Sequence, residues 1–241
     1  MNRQEIVLEG VIADEAAALP AWKRLLDLLL ILAVAPGLLL IGAVLAILIK
    51  VGSRGPVFFR QQRVGYKGRE FMLYKFRTMR LDAETDTHRL HLHDLMNAEK
   101  PMTKLDAKSD PRVIPFGSLL RATGLDELPQ LLNVLRGEMS VVGPRPCLPY
   151  EFILYDARQR RRFDAVPGLT GLWQVSGKNR TTFDEMVKLD IEYARTRSLT
   201  CDLSIILRTL PALWRQYCDL RASRKQPAAS AVAGDGDDIR R

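Results

Sequence analysis

The chain has 241 residues, 47% of them apolar and 27% charged, which excludes a disordered or collagen-like chain and allows one domain, or one domain with an appendage, around a sizeable core. The formal net charge of +8 calls for an anionic partner: lipid headgroups, a phosphorylated substrate or nucleic acid. No DNA- or RNA-reading motif is present, so nucleic acid is not expected.

A polar tail, residues 1–21, precedes LLLILAVAPGLLLIGAVLAILI, Leu28 to Ile49, which carries no charge. That run exceeds the roughly 18 apolar residues at which a membrane helix is the default reading, and we assign the membrane segment to 22–50. Pro36-Gly37 interrupts it, and proline in a helix interior removes a backbone bond and clashes with the preceding turn. The two pieces would be roughly 13 and 20 Å long, and neither reaches across a hydrocarbon core of about 30 Å. Both flanks are basic, with Lys23 and Arg24 before the run and Lys50, Arg54, Arg60 and Arg63 after it. A re-entrant helix broken at Pro36, with both ends in the cytoplasm, fits that pattern; a kinked span with its C-terminal side cytoplasmic is the alternative.

Next, PVFFRQQRVGYKGREFMLYKFRTM reads as a β-hairpin around Gly65-Tyr66-Lys67-Gly68. Period two sets Lys75 and Arg77 on one face, where two cations can grip a pyrophosphate, while a solvated edge strand is, on the strand pattern alone, the better explanation. Residues 82–108 form a charged, weakly periodic insertion whose His88, His91 and His93 make no ligand set and read as surface histidines. In TGLDELPQLLNVLRGEMSVVGPRP, Thr123 to Pro146, two adjacent acids precede an apolar run, and Arg145 sits between two prolines. Asp126 reads as a helix N-cap with Glu127 at the first helical position.

A helix is expected over Glu151 to Phe163, ending in a cluster of arginines suited to anionic headgroups, then a turn at Pro167 to Gly171. Thr182 to Glu185 has the capping-box spacing, opening a helix to about Arg197 whose stripe is Phe183, Met186, Val187, Ile191 and Ala194, with Asp190 beside it. Asp202 to Leu220 suits an amphipathic helix on a membrane surface, bent or split at Pro211, and 222–241 reads as a disordered tail. Cys147, Cys201 and Cys218 are scattered, with no disulfide or zinc spacing, as in a reducing compartment. The fold class is therefore α+β, mostly helical: a membrane helix, then a small cytoplasmic catalytic domain over 51–221 carrying a hairpin and surface helices.

An ionised carboxylate can attack phosphorus to give an acyl phosphate, a neighbouring carboxylate can hold Mg²⁺, and arginines can offset charge on the transferring group. Asp126 and Glu127 supply the acids; Lys75, Arg77, Arg121 and Arg145 are the candidate cations. The motifs YKFRTM, LDELPQLLNVLRGEMSVVGPRP and PGLTGLWQVSGKN, in that order after one membrane segment, resemble the bacterial sugar transferase family, the monotopic polyprenyl-phosphate phosphoglycosyl transferases. The resemblance covers roughly Trp22 to Trp214. It implies transfer of a sugar-1-phosphate from a UDP-sugar to a polyprenyl (undecaprenyl) phosphate with release of UMP, at the cytoplasmic face of a bacterial inner membrane, as the first membrane step of exopolysaccharide, O-antigen or glycan assembly.

By that resemblance Asp126 is the nucleophile, Glu127 the Mg²⁺ ligand, and Lys75, Arg121 and Arg145 contact phosphates; Asp190 falls where the family carries an acid in its late helix. A second copy of the chain or a downstream glycosyltransferase is a candidate partner. Two positions depart from the family pattern: Ala35 before the proline and Gly124 before LDELPQ, where serine is common. The competing reading is a non-catalytic membrane scaffold that binds phosphorylated lipid or a polysaccharide-assembly partner.

Overall fold

In a computed structural model, residues 19–80, 101, 112–177 and 180–225 are described. The insertion with its three histidines and both tail ends lie outside the described residues. The described chain is mostly helical, with a long apolar N-terminal helix and two small two-stranded sheets.

Helix α1, Ala21–Gly52, runs 32 residues without interruption and contains Pro36. The expected break into two pieces is thus corrected. Proline forfeits one backbone bond, and among apolar surroundings the helix remains the only way to satisfy the others. Lys23, Asp27 and Ile31, spaced by one turn, are buried at its start, and Leu45 and Ile49 at its end. Between them, over 32–44, no residue is buried.

The hairpin pairs β1, Phe58–Val64, with β2, Glu70–Phe76, antiparallel, with Phe59 opposite Lys75 and Arg63 opposite Phe71. The outer edge of β2 is satisfied by one side chain. Asn133, fully buried, accepts from the Tyr74 amide at 3.2 Å and donates to the Met72 carbonyl at 2.7 Å. Asn133 lies in α3, Leu131–Arg136, so this residue docks that helix onto the strand. Before α3 come α2, Gly117–Thr123, and a 3₁₀ helix, Leu125–Gln130.

The second sheet pairs β3, Ser140–Val142, with β4, Gly168–Thr170, in parallel. Here backbone lies on backbone: a Cβ on Gly143 would come within 2.2 Å of the Val166 carbonyl oxygen, and one on Gly168 within 2.0 Å of the Gly143 nitrogen. Only glycine permits this approach.

The helix expected over Glu151–Phe163 is two pieces, α4, Pro149–Leu154, and a 3₁₀ helix, Gln159–Asp164. Asp156 and Gln159 exchange hydrogen bonds of 3.0 and 2.7 Å, restarting the chain with a fresh cap while Tyr155 drops into the core. A four-residue helix α5, Leu172–Val175, follows. The capping box at Thr182 and Glu185 forms as expected and opens α6, Phe183–Thr196. Helix α7, Leu199–Lys225, continues through Pro211 rather than splitting.

The largest core cluster joins Val64 and Cys147 to Tyr155, Phe163, Trp173 and the apolar stripe of α6. Two others seat the ends of α1: Ile31 on Leu73, Val134 and Met139, and Leu45 with Ile49 on Phe76, Ile114 and Leu120. Lys23 adds a buried polar anchor, donating to the Val142 carbonyl at 2.8 Å, to the Tyr193 hydroxyl at 2.9 Å and to Asp202 at 2.5 Å.

Candidate active site

Three local structures converge on one cleft. The hairpin brings Lys75, the 3₁₀ helix brings Asp126 and Glu127, and the turn after β3 brings Arg145. Glu127 Oε1 receives Lys75 Nζ at 3.1 Å and Arg145 Nη1 at 3.5 Å. Gln130, Arg63, Leu73, Pro146 and Leu169 complete the lining.

The acidic pair is held differently from the sequence expectation. Asp126 is not an N-cap: it sits inside the first turn of the 3₁₀ helix, whose cap position is Gly124 and carries no side-chain cap bond. Gly124 has φ of +73°, a left-handed conformation that glycine adopts at little cost and serine does not, so the departure noted at this position suits this backbone. The left-handed residue ends α2 and starts the tighter turn, which shifts the acids two positions into the helix. Capping of that helix start therefore does not account for Asp126, which is buried beside Glu127 and close enough to Lys75 to act on its charge.

Arg145 is fixed through its backbone. The Gly143 amide donates to the Thr170 carbonyl at 2.8 Å, and the Gly168 amide to the Pro144 carbonyl at 2.9 Å, so the turn is stitched to β4 on both sides. The Arg145 carbonyl also accepts from Arg162 Nη2 at 3.1 Å. Both flanking prolines restrict the backbone further.

The cleft carries an excess of positive charge. Burial, foremost, pulls the Lys75 ammonium below the ordinary lysine value; Arg145 and Arg63 act in the same direction, against Glu127 and Asp126. Burial likewise lowers Arg63, with Arg145 as the next contribution. Three cations thus share a small, part-buried volume with two carboxylates, an arrangement that an added anion relieves.

Three expected site residues lie elsewhere. Arg77 is buried and donates to the carbonyls of Ser53 and Arg54 at 2.9 and 2.6 Å, tying the exit of α1 to the end of the hairpin. Alternation would have set it beside Lys75, but the strand ends at Phe76 and the chain turns. Asp190 is buried against Arg162 at 2.6 Å, with both side chains at most 2% exposed, and faces the core rather than the cleft. Burial opposes the Arg162 charge, but Asp190 together with Tyr155, Cys147 and Glu151 outweighs it, holding the guanidinium above its ordinary value. Arg121 is half-buried on α2 and does not line the cleft.

Sequence reasoning missed Arg63, Gln130 and Asn133. For Arg63 a signal existed: a tight link at 65–69 fixes the register, which sets Arg63, Gln61 and Phe59 on the same face as Phe71, Leu73 and Lys75. Among the described residues no group of three or more acidic, histidine or cysteine side chains could cage a metal. A carboxylate pair with nothing further suits Mg²⁺, which takes one or two protein carboxylates and completes its shell with water and substrate phosphates.

The sequence compares with known proteins along nearly this whole body. It is 46% identical over 191 residues to a galactosyl transferase, CpsE, of Streptococcus agalactiae, covering 78% of this chain and 41% of that protein. It is 39% identical over 193 residues to the exopolysaccharide production protein ExoY of Sinorhizobium fredii, covering 80% of this chain and 84% of that one. Against the UDP-glucose:undecaprenyl-phosphate glucose-1-phosphate transferase of Caulobacter vibrioides it is 41% identical over 202 residues, 79% of this chain and 69% of the relative. The chain spans under half the length of CpsE and most of the length of the other two. The family profile described as bacterial sugar transferase matches residues 19–216, a stretch that takes in α1, the hairpin, the acidic pair and the Arg145 turn. With the cleft, the membrane-type helix and the matched length in agreement, the chain belongs to the bacterial sugar transferase family.

Proposed function

We propose that this protein transfers a sugar-1-phosphate from a UDP-sugar to a polyprenyl phosphate such as undecaprenyl phosphate, through a covalent phosphosugar on Asp126. A buried carboxylate inside the first turn of a 3₁₀ helix, one residue from a carboxylate clasped by Lys75 and Arg145, is the observation that carries this reading. In the first step an Asp126 oxygen attacks the sugar-bearing phosphorus, the bond to the bridging oxygen breaks, and UMP leaves with the electron pair. In the second, a phosphate oxygen of the acceptor attacks the same phosphorus and the carboxylate is released, giving a polyprenyl-diphosphate sugar. Lys75 and Arg145 offset charge on the transferring group. Glu127 would hold Mg²⁺, which supplies further positive charge at the diphosphate when bound. The names of relatives that specify UDP-glucose and undecaprenyl phosphate support this choice of donor and acceptor.

For α1 the reading is re-entrant insertion into the bacterial inner membrane from the cytoplasmic face. Its two ends pack on the same body, through Lys23 and Ile31 at one end and Leu45 and Ile49 at the other, while the middle stays bare. A span would separate those ends by about 30 Å of hydrocarbon. A bare middle between two seated ends suits a segment that dips into lipid and returns, which an unbroken helix does only by bending, and Pro36 in that bare stretch is where a backbone bond is missing.

Helix α7 supports the same plane: Leu203, Leu207, Leu210 and Trp214, at helical spacing, are all exposed. Its Leu213 lies near Gly124 at the end of α2, and Pro115, just before α2, lies near Gly52 at the end of α1, so α2 bridges α7 to the membrane helix.

Protein purified in detergent and given Mg²⁺, undecaprenyl phosphate and a panel of UDP-sugars is expected to release UMP with at least one donor. Absence of UMP with every donor, alongside retained binding of the lipid phosphate, would replace this reading with the scaffold.

A further inference from the structure

Arg63 lines the cleft but does not touch Glu127. Its Nη1 donates to the Pro146 carbonyl at 3.3 Å and its Nη2 to Gln61 Oε1 at 2.7 Å. A guanidinium has five N–H donors in a planar fork, and these bonds use two. The Nε–H is buried with no hydrogen-bond partner among the described residues. Leaving such a donor unmet is unfavourable, and it lies in the same lining as Lys75 and Arg145, where positive charge already crowds.

The side chain is also held in place. It is anchored at one end on β1 and at the other on the residue after Arg145, so the fork is preorganised and little freedom remains to lose on binding.

The stereochemistry of displacement says what this fork is for. At phosphorus the entering and leaving oxygens lie roughly in line. If Asp126 occupies one apex in both half-reactions, the opposite apex holds the UMP phosphate in the first and the acceptor phosphate in the second. Lys75 and Arg145 converge on Glu127, next to Asp126, and so serve the transferring phosphoryl group. Arg63, bonded to Gln61 and the Pro146 carbonyl rather than to Glu127, is the remaining cation of the lining and is available to the opposite apex.

We propose that Arg63 is a phosphate-binding residue of a single position used in turn by the departing nucleotide and the arriving lipid phosphate. This rests on the covalent mechanism above. Its chemistry is bidentate, charge-assisted hydrogen bonding to a phosphate monoester, worth roughly 10- to 100-fold in affinity.

The test takes the wild type first: adduct and UMP from UDP-sugar alone establish the covalent reading independently of Arg63. Arg63→Gln and Arg63→Lys are then compared for UMP inhibition, for the acceptor KM in discharging preformed adduct, and for hydrolysis of that adduct by water. Arg63→Gln is expected to raise the UMP inhibition constant and the acceptor KM together by roughly 10- to 100-fold, with Arg63→Lys recovering part of each. Water brings no phosphate, so hydrolysis is expected to fall by a much smaller factor than transfer to the acceptor, a split that general damage to the cleft would not give. Unchanged UMP inhibition, a change in only one of the two constants, or parallel loss of hydrolysis would overturn the assignment. Should Arg63→Gln fail to accumulate as folded protein, Arg63→Lys decides alone by the same three readouts.

Discussion

Away from the exposed surface pairs, opposite charges meet in sealed pairs and in the cleft, and the two are built to different rules. At Lys23–Asp202 and Arg162–Asp190 one cation meets one carboxylate at 2.5 and 2.6 Å, with every side chain at most 2% exposed. In the cleft a single carboxylate oxygen is shared by two cations at 3.1 and 3.5 Å, a third cation stands by, and the partners are partly open to water. The sealed pairs are matched and join elements distant in the chain: the start of α1 to α7, and the 3₁₀ helix after α4 to α6. The cleft is unmatched and leaves room for an anion. The difference teaches that an acid on a helix face is not informative until its partner and its burial are known: Asp190 and Asp126 look alike in sequence and stand on opposite sides of this divide.

The comparison makes the two kinds of place separable by mutation. The largest effect is expected from Asp126→Asn, a near-isosteric change that should lower turnover by at least about a thousandfold while the protein remains folded in detergent with a cooperative thermal transition. Substantial residual UMP release would move the nucleophile elsewhere. Arg162→Ala should do the reverse. It strands Asp190 as a buried charge and is expected to destabilise the protein by about 3–5 kcal/mol, read by denaturant unfolding. An unaltered unfolding curve would mean that the pair is not sealed.

Arg145→Ala should sharpen the contrast. Its ion pair with Glu127 is long and partly exposed, so stability should shift by less than about 1 kcal/mol, while turnover falls roughly 100-fold through the lost phosphate contact. The smallest effect is a pH profile. Lys75 must be charged to hold phosphate, and its value is lowered, so activity should fall on the alkaline side sooner than an ordinary lysine would dictate. One pH unit above that value about a tenth of the charge remains; Lys75→Arg should carry the limb to higher pH. An identical alkaline limb in both proteins would remove Lys75 as its source.

What could be read from the sequence was what depends on neighbours in the chain. The hairpin, the capping box at Thr182 and Glu185, and the long apolar helix follow from period, turn residues and hydrophobicity, and the acidic pair with Lys75 and Arg145 stood out as one chemical set. What could not be read depends on partners far along the chain. Arg77 reaches back to Ser53 and Arg54, Asp190 to Arg162, and Asn133 to Met72 and Tyr74.

Local rules also misled where context changed them. Pro36 and Pro211 stay inside helices, since one lost bond does not outweigh the rest of a long helix. Gly124 in a left-handed conformation moved the start of the acidic helix by two residues, which changed the role of Asp126. The split at Tyr155 was foreshadowed by the Asp156–Gln159 spacing, a cap signal hidden by the run of arginines after it.

The most direct test of the central claim is intact-protein and peptide mass spectrometry on a reaction quenched with UDP-sugar and Mg²⁺ but no lipid acceptor. The account predicts that the chain gains the mass of one sugar phosphate, that the added mass maps to the peptide bearing Asp126, and that UMP appears in equal amount. A protein whose mass never changes, with UMP released only once polyprenyl phosphate is added, would contradict it.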